Sequence, residues 1–372
     1  MATADDTWRY RDRFGDSFGR TYFRRFGPGV VSSVGVGTYL GEPTDADDDR
    51  YRAAVTTALD SGVNLIDTAS NYRAGRSEPV VGCAVDSADT PREAVVVTTK
   101  GGFIPFDGDR PTDPAAFVRR EYVDDGPLTP ADLARGSHAL DPAFLAGQLD
   151  RSLDRLGLDR VDCYYLHNPE TQLAVRDREA VYDQLAAAFE LLERRRAAGD
   201  IGRYGIATWD ALRVPASADA HLDLGEILRR ARTAADRVST ADSDAPADDD
   251  HGFAAIQLPF NVQMADAFTV AAHDHGGERV SALEFAHREG LSVFTSATLE
   301  QGELASEGAI PPAVAAELEG DTPAQRAINF ARSAPAVTGA LVGSRQTTHL
   351  DENVAAGTFD PMGASQFDDV FE

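Results

Sequence analysis

The chain has 372 residues, 42% of them hydrophobic, enough to bury a sizeable core with a pocket inside it. Its 61 acidic side chains against 35 basic ones leave a formal charge of −26, which sets the surface field against DNA, RNA or an anionic bilayer as partners. The acids interleave with Ala, Gly and Arg along the whole length, the pattern of a solvated surface and, at this density, of a protein from a salt-rich cytoplasm.

The first stretch with a pattern is RYRDRFGDSFGRTYFRRFGPG (9–29), whose loose alternation predicts a small β-hairpin plugging the bottom of a barrel. No N-terminal apolar run has the form of a signal peptide and no apolar stretch is long enough to span a bilayer, so a soluble, cytoplasmic protein is expected. Strand candidates then follow at VGVGTYL (34–40), VNLID (63–67), AVVVTTK (94–100), VDCYYLH (161–167), IGRYGIA (201–207), FAAIQLP (253–259), LSVFTS (291–296) and VTGALVG (337–343). Amphipathic segments alternate with them. In DPAFLAGQLDRSLDRLG, Leu145, Leu149, Leu153 and Leu156 share one helical face behind an N-cap at Asp141, and REAVYDQLAAAFELLERRRAAG closes on Gly199.

Continuous apolar strands, each followed by a helix, predict a parallel sheet covered by helices, and eight such units close into a (β/α)₈ TIM barrel of the α/β class. An open doubly wound sheet is disfavoured, since no G-x-G-x-x-G follows the first strand. The expected organisation is one barrel domain over 1–372 with two insertions. Residues 103–141, rich in Pro and Asp, are placed to cover a site; residues 210–252, with the run STADSDAPADDD, read as a solvated loop. The acidic tail 357–372 carries Phe359, Phe367 and Phe371, which predict that it packs against the barrel. Two cysteines, Cys83 and Cys163, cannot frame disulfides and stand in apolar contexts as small hydrophobes.

Chemistry in such a barrel gathers at the C-terminal ends of the strands. Asp67 ends the second strand, Tyr72 follows in its loop, Lys100 ends the third and His167 the fourth. Singly, each has a structural explanation: a cap, a half-buried aromatic, a surface cation, a loop histidine. Lys100 is nonetheless the chain's one lysine, the other 34 basic residues being arginine (35 − 1), so this position calls for a compact ammonium rather than a planar fork. Together the four make an acid. An ammonium beside a phenol stabilises the phenolate and lowers a pKa that is ordinarily near 10, a carboxylate keeps the ammonium charged, and a histidine orients a carbonyl. Protonating a developing alkoxide requires a hydride donor that no side chain supplies, which implies a nicotinamide cofactor. No carboxylates stand at metal-ligand spacing, and no metal is expected.

The chain resembles the aldo-keto reductases over nearly its whole length, through GVGTY (35–39), NLIDTASNY (64–72) with RSEPVVG (76–82), VVTTKGG (96–102) and LDRSLDRLGLDRVDCYYLHNP (149–169). Later motifs are AAGDIGRYGIATW (197–209), AIQLPFN (255–261), SATLEQGEL (296–304) and ALVGSRQTTHLDENVAA (340–356). The resemblance implies an NAD(P)H-dependent oxidoreductase that reduces an aldehyde, ketone or sugar carbonyl, or runs in reverse, with Tyr72 as general acid, Asp67 and Lys100 tuning it and His167 placing the carbonyl. It implies a cofactor extended across the barrel mouth, lined by Thr38, Tyr39, Thr208, Gln257, Leu299 and Gly302. Gly343, Ser344, Arg345, Glu352 and Asn353 would lie at its adenosine end. Arg345 would take a 2′-phosphate, which favours NADP(H), while Gly343 stands where many NADPH users carry lysine and keeps NAD(H) open. Ala207-Thr208 replaces the family's common Ser-Asn, and Ser296 an aromatic that stacks on the nicotinamide. These departures keep a second reading alive, a cofactor-binding barrel acting as a redox sensor or partner subunit. Substrate identity and oligomeric state have no signal here.

Overall fold

The structure, a computed structural model, describes residues 1–19, 21–241 and 251–371. Eight parallel strands close into a barrel: β1 (Val34–Gly37), β2 (Leu65–Asp67), β3 (Val96–Gly101), β4 (Val161–His167), β5 (Ile201–Ala207), β6 (Phe253–Pro259), β7 (Ser292–Ser296) and β8 (Val337–Gly343). Each pairs with its neighbours in chain order, and β8 returns to β1 through Ala340↔Val34 and Gly343↔Gly37. Both faces of these strands are covered, which is why they read as unbroken apolar runs. All eight fall inside or within one residue of the expected stretches.

The covering helices are α1 (Asp45–Asp60), α2 (Ser77–Ser87), α3 (Pro142–Leu156), α4 (Arg178–Ala198), α5 (Leu224–Ala241), α6 (Ala282–Glu289), α7 (Pro323–Ser333) and α8 (Thr347–Ala355). In α3 the Asp141 side chain accepts from the backbone N–H groups of Ala143 and Phe144, and Gly157 closes the helix at φ 62°. Leu145, Leu149 and Leu156 are buried against the barrel, while Leu153 at the edge of the same face is half-buried. Each fully buried leucine contributes about 1.5–3 kcal/mol of transfer free energy. Inside the barrel, Leu65, Val96, Cys163, Tyr165, Ala255 and Phe294 fill the lower half.

The N-terminal segment differs from the expectation in its first part. Ala4–Phe14 is a helix, capped by Thr3 and carrying Asp5 and Asp6 in its first turn with Arg11 and Arg13 in its last, so its charges follow the helix dipole. The hairpin follows it, at Phe23–Phe26 and Gly29–Ser32. Phe26 and Val31 from this hairpin join the interior cluster, with Phe26 edge-on to Phe294 at 5.5 Å, so it closes the barrel floor as expected.

Segment 210–252 is not the loop expected. It contains α5, whose Leu224, Ile227, Leu228, Ala231 and Ala234 form a buried stripe at helical spacing between long polar residues. The arginines that hid this stripe pair outward: Arg230 with Glu226, Asp183 and Glu179, Arg237 with Glu190. Residues 242–250 of the polar run lie outside the described residues.

The 103–141 insertion builds a small core of Ile104, Val118, Tyr122, Leu128 and Ala139 on Phe144 of α3. The tail docks as expected through Phe367, which is fully buried, stacks on Phe260, meets Phe268 edge-on and lies tilted against Phe330. Cys163 is buried, but Cys83 faces outward from α2 and is exposed, contrary to its expected role as a small hydrophobe. No helix among the described residues is long and apolar enough to cross a membrane.

Candidate active site

The four sequence candidates converge at the C-terminal ends of β2, β3 and β4. The Lys100 ammonium is completely enclosed; it donates to Asp67 Oδ2 at 2.5 Å and to the Thr68 carbonyl at 2.9 Å. Asp67 Oδ1 in turn accepts from Thr98 Oγ1 at 2.7 Å and Gln257 Nε2 at 2.9 Å, so every face of the carboxylate is engaged. Burial opposes a charge on Lys100, yet Asp67 and Tyr72 outweigh it and hold the amine above its ordinary pKa. The ammonium lies 4.8 Å from the centre of the Tyr72 ring.

For Tyr72 the balance runs opposite to the expectation. Burial pushes the phenol above its ordinary value, and the charge and hydrogen bonding of Lys100 offset only part of that rise. The correction is physical: a phenolate leaving water loses more than one ammonium returns while Asp67 neutralises that ammonium. The phenol therefore stays protonated at neutral pH, the state a proton donor needs. Lys100 acts when negative charge develops on the oxygen.

The loop that brings Tyr72 back over β2 is strained and pinned. Arg73 and Ala74 adopt left-handed φ of 49° and 56°, unusual for side-chain-bearing residues, and Gly75 follows at 90°. The buried Arg73 guanidinium anchors it, pairing with Asp48, donating to the Glu42 carbonyl at 3.1 Å and lying 5.2 Å from the Tyr51 ring centre. Arg76 reaches the same Asp48 at 2.6 Å. Thus the acidic first turn of α1 holds the loop that carries the phenol.

His167 ends β4 with its ring edge-on to Tyr72 at 5.8 Å. Burial, then the charges of Lys100 and His138, hold its pKa well below the ordinary value, so the imidazole is neutral. Its Nδ1 is buried and has no hydrogen-bond partner. One aromatic ring of the insertion reaches it: Phe103 is edge-on to His167 at 5.1 Å and to His138 at 4.8 Å. Sequence reasoning missed Phe103, His138 and Gln172, which supports His138. The available signal was the Gly101-Gly102 pair at the end of β3, which marks a close backbone approach.

The residues expected to line a cofactor ring the same mouth. Thr38 follows β1, buried, and Tyr39 beside it is 60% exposed with its ring 5.1 Å from Tyr72. Thr208 follows β5; its Oγ1 is buried without a partner, a donor facing an unfilled need. Gln257 is buried in β6, but its amide nitrogen is committed to Asp67. Leu299 is half-buried and Gly302, at φ 102°, is exposed after β7, which ends on Ser296 with no aromatic in its place. Gly343 and Ser344 follow at the end of β8, with Glu352 and the buried Asn353 in α8. Arg345 is not free: its Nη1 pairs at 2.9 Å with Asp47, whose pKa is drawn down, against burial, by the Glu42 N–H, Arg50 and Arg345. Glu170 accepts from the N–H groups of Trp209 and Asp210 at 2.7 and 3.0 Å, fixing the half-exposed Trp209 at the rim.

Away from the mouth, His221, Asp223 and His273 bring ligand-type atoms together. Their geometry is a structural clasp. His273 accepts from the Leu224 N–H at 3.2 Å and donates to the Leu212 carbonyl at 3.0 Å, and Asp223 pairs with Arg279, which leaves His273 no nitrogen for a cation. Burial lowers His221 and His138 each to about 4. A histidine that titrates at 6.5 when unfolded and near 4 when folded stabilises fully above pH 6.5 and loses that contribution as pH falls toward 4. For the fully enclosed His138 the gap is worth on the order of 3 kcal/mol. Glu78 and Glu170, pushed up by burial, work the other way, and the lowered carboxylates of Asp47 and Glu226 respond only at more acid pH. The urea midpoint is therefore expected to fall between pH 7 and 5; an unchanged midpoint would contradict buried neutral histidines.

The aldo/keto reductase family model matches residues 33–224. Over 179 residues the chain is 35% identical to a D-threo-aldose 1-dehydrogenase of a Pseudomonas species, covering 48% of this chain and 50% of that protein. It is 29% identical over 188 residues to an NADH-specific methylglyoxal reductase of Escherichia coli (strain K12), covering 49% and 50%. The chain thus spans about half the length of the curated relatives it matches. Among solved structures, an aldo-keto reductase of Bacillus halodurans in its holo form superposes with a TM-score of 0.63 at 18% identity, over 95% of this chain and 96% of that one. An aldo/keto reductase of Klebsiella pneumoniae in complex with NADP and acetate gives 0.59 at 21% identity, over 94% of each. At these identities the likeness is one of fold.

Proposed function

The chain belongs to the aldo/keto reductase family, and we propose that it reduces a small aldehyde, ketone or sugar carbonyl to the alcohol with NADP(H), NAD(H) being the alternative cofactor, or catalyses the reverse oxidation. The observation that carries this reading is the closed chain Asp67–Lys100–Tyr72 with the neutral His167 beside the phenol.

The bound nicotinamide would supply hydride to the carbonyl carbon. The residues present suit it at its reactive end, where the unpartnered Thr208 Oγ1 offers a hydrogen bond beside His167. The side chains then divide the remaining work. His167, neutral, donates a hydrogen bond to the carbonyl oxygen and turns it toward Tyr72. Tyr72 gives its proton to that oxygen as negative charge develops. Lys100 stabilises the phenolate left behind, and Asp67 keeps the ammonium charged and fixed. At the far end Arg345 is the candidate for a 2′-phosphate, shared with Asp47, so the phosphate competes with a carboxylate already in place. Trp209 and Tyr39 form the rim a substrate meets.

A second reading has its own observation. With Gln257 committed to Asp67 and Ser296 ending β7, a bound nicotinamide would find fewer contacts, as would suit a barrel that binds cofactor to sense it or to serve a partner subunit. We also propose a salt-rich cytoplasm as the setting: high ionic strength screens the self-repulsion of a charge of −26. Nucleic acid and membrane are disfavoured as partners by that same charge. In concentrated KCl, incubation with NADPH and an activated aldehyde is expected to yield the corresponding alcohol. Cofactor oxidised with no alcohol formed would sink the reading.

A further inference from the structure

The His167 ring has no hydrogen bond to orient it. Its Nδ1 is buried and has no partner among the described residues, and the rings of Tyr72 and Phe103 lie edge-on to it. What is fixed is the peptide plane that leaves it. The His167 carbonyl accepts from His138 Nε2 at 2.7 Å, and the next N–H, of Asn168, donates to the Ala207 carbonyl at 2.6 Å. Asn168 itself sits at a left-handed φ of 46°, a conformation asparagine adopts more readily than most residues, so the chain turns sharply just after the gripped plane.

His138 is built for this single contact. It is fully buried, and Gln172 Nε2 donates both to its Nδ1 at 3.0 Å and to its carbonyl at 2.9 Å. A donor at Nδ1 leaves the proton on Nε2, which faces the His167 carbonyl. The backbone beneath is shaped to admit the bond: Gly102 has φ 134°, and a Cβ there would stand 3.0 Å from His138 Nε2 and 3.1 Å from the His167 carbonyl oxygen. The Ala139 N–H donates to the Gly102 carbonyl at 2.9 Å, so the end of the insertion is stitched to the strand that carries Lys100.

We propose that His138 is a positioning residue for His167: by gripping the His167–Asn168 peptide plane, and with Phe103 packed edge-on against both rings, it sets the direction in which the catalytic imidazole faces the mouth. The insertion 103–141 thereby builds part of the site as well as covering it. This rests on the reading of His167 as the group that orients the carbonyl.

The test uses His138→Phe, which keeps a ring of similar size and removes the donor, alongside His138→Gln, which restores an amide N–H. His138→Phe is expected to lower kcat on an aldehyde by on the order of tenfold to a hundredfold, with the NADPH dissociation constant within about twofold, and to shift the His167 imidazole signals in nitrogen-edited NMR. His138→Gln recovers part of both. A folded His138→Phe with unchanged kcat and unmoved His167 signals overturns the proposal. Should His138→Phe fail to fold, Gly102→Ala, which pushes a methyl into the same bond, is expected to show the same kcat loss and shift, and its silence overturns the proposal equally. If the unmodified protein turned over no carbonyl, the function reading would fall, while the His167 signals would still decide the positioning claim.

Discussion

Tyr72→Phe is expected to lose turnover by on the order of 10²–10⁴ while keeping its fold and its affinity for reduced cofactor. The substitution removes one oxygen, and the ring contacts with Tyr39 and His167 remain. Since burial already holds the phenol protonated, the variant changes no charge in the resting protein. Only the step in which the oxygen gives up its proton is affected, so the loss belongs in kcat with KM nearly unchanged. Equal turnover in the two proteins would remove Tyr72 from the mechanism, and with it the reason for Lys100.

Lys100→Met is expected to cost both activity and stability. The ammonium and Asp67 face each other in a site with no solvent, and removing one partner leaves the other as a buried charge, which costs on the order of 3–5 kcal/mol. Thr98 and Gln257 soften this by keeping two hydrogen bonds on Asp67. Turnover falls by at least as much as in Tyr72→Phe, because the phenolate then develops without a cation. Lys100→Arg should not rescue it: a fork larger than the ammonium enters a fully enclosed site, and overpacking costs about 1–3 kcal/mol. A Lys100→Met protein of unchanged melting temperature and activity would contradict the ion pair and its role together. In a chain with one lysine, this experiment also asks why that lysine was kept.

Much of the barrel was legible because its signals are local. Unbroken apolar strands and the Asp141 and Gly199 helix ends depend on a few adjacent residues, and they stand where the pattern put them. The four catalytic candidates stood out for a related reason: three stand at strand ends, and Tyr72 lies in the loop directly after one. The missed elements depend on distant partners. The stripe of α5 was masked by arginines that pair with α4, and Ala4–Phe14 by a charge pattern that reads as irregular unless its dipole order is noticed. His138 could not be assigned to the site from its neighbours in sequence, because its partners Gln172 and His167 lie about thirty residues away. The direction of the Tyr72 shift was misjudged because one sequence shows which charges are near but not how much water is left among them.

The central claim, that this site reduces carbonyls and does not merely hold a nicotinamide, is tested most directly by measuring NADPH binding and NADPH oxidation on one preparation in high salt. Binding would be followed by cofactor fluorescence and turnover by loss of its absorbance across a panel of aldehydes, ketones and sugars. Saturable binding together with carbonyl-dependent oxidation on at least one member of the panel is the expected result. Tight binding with no oxidation on any of them would contradict it and leave the sensor reading in its place.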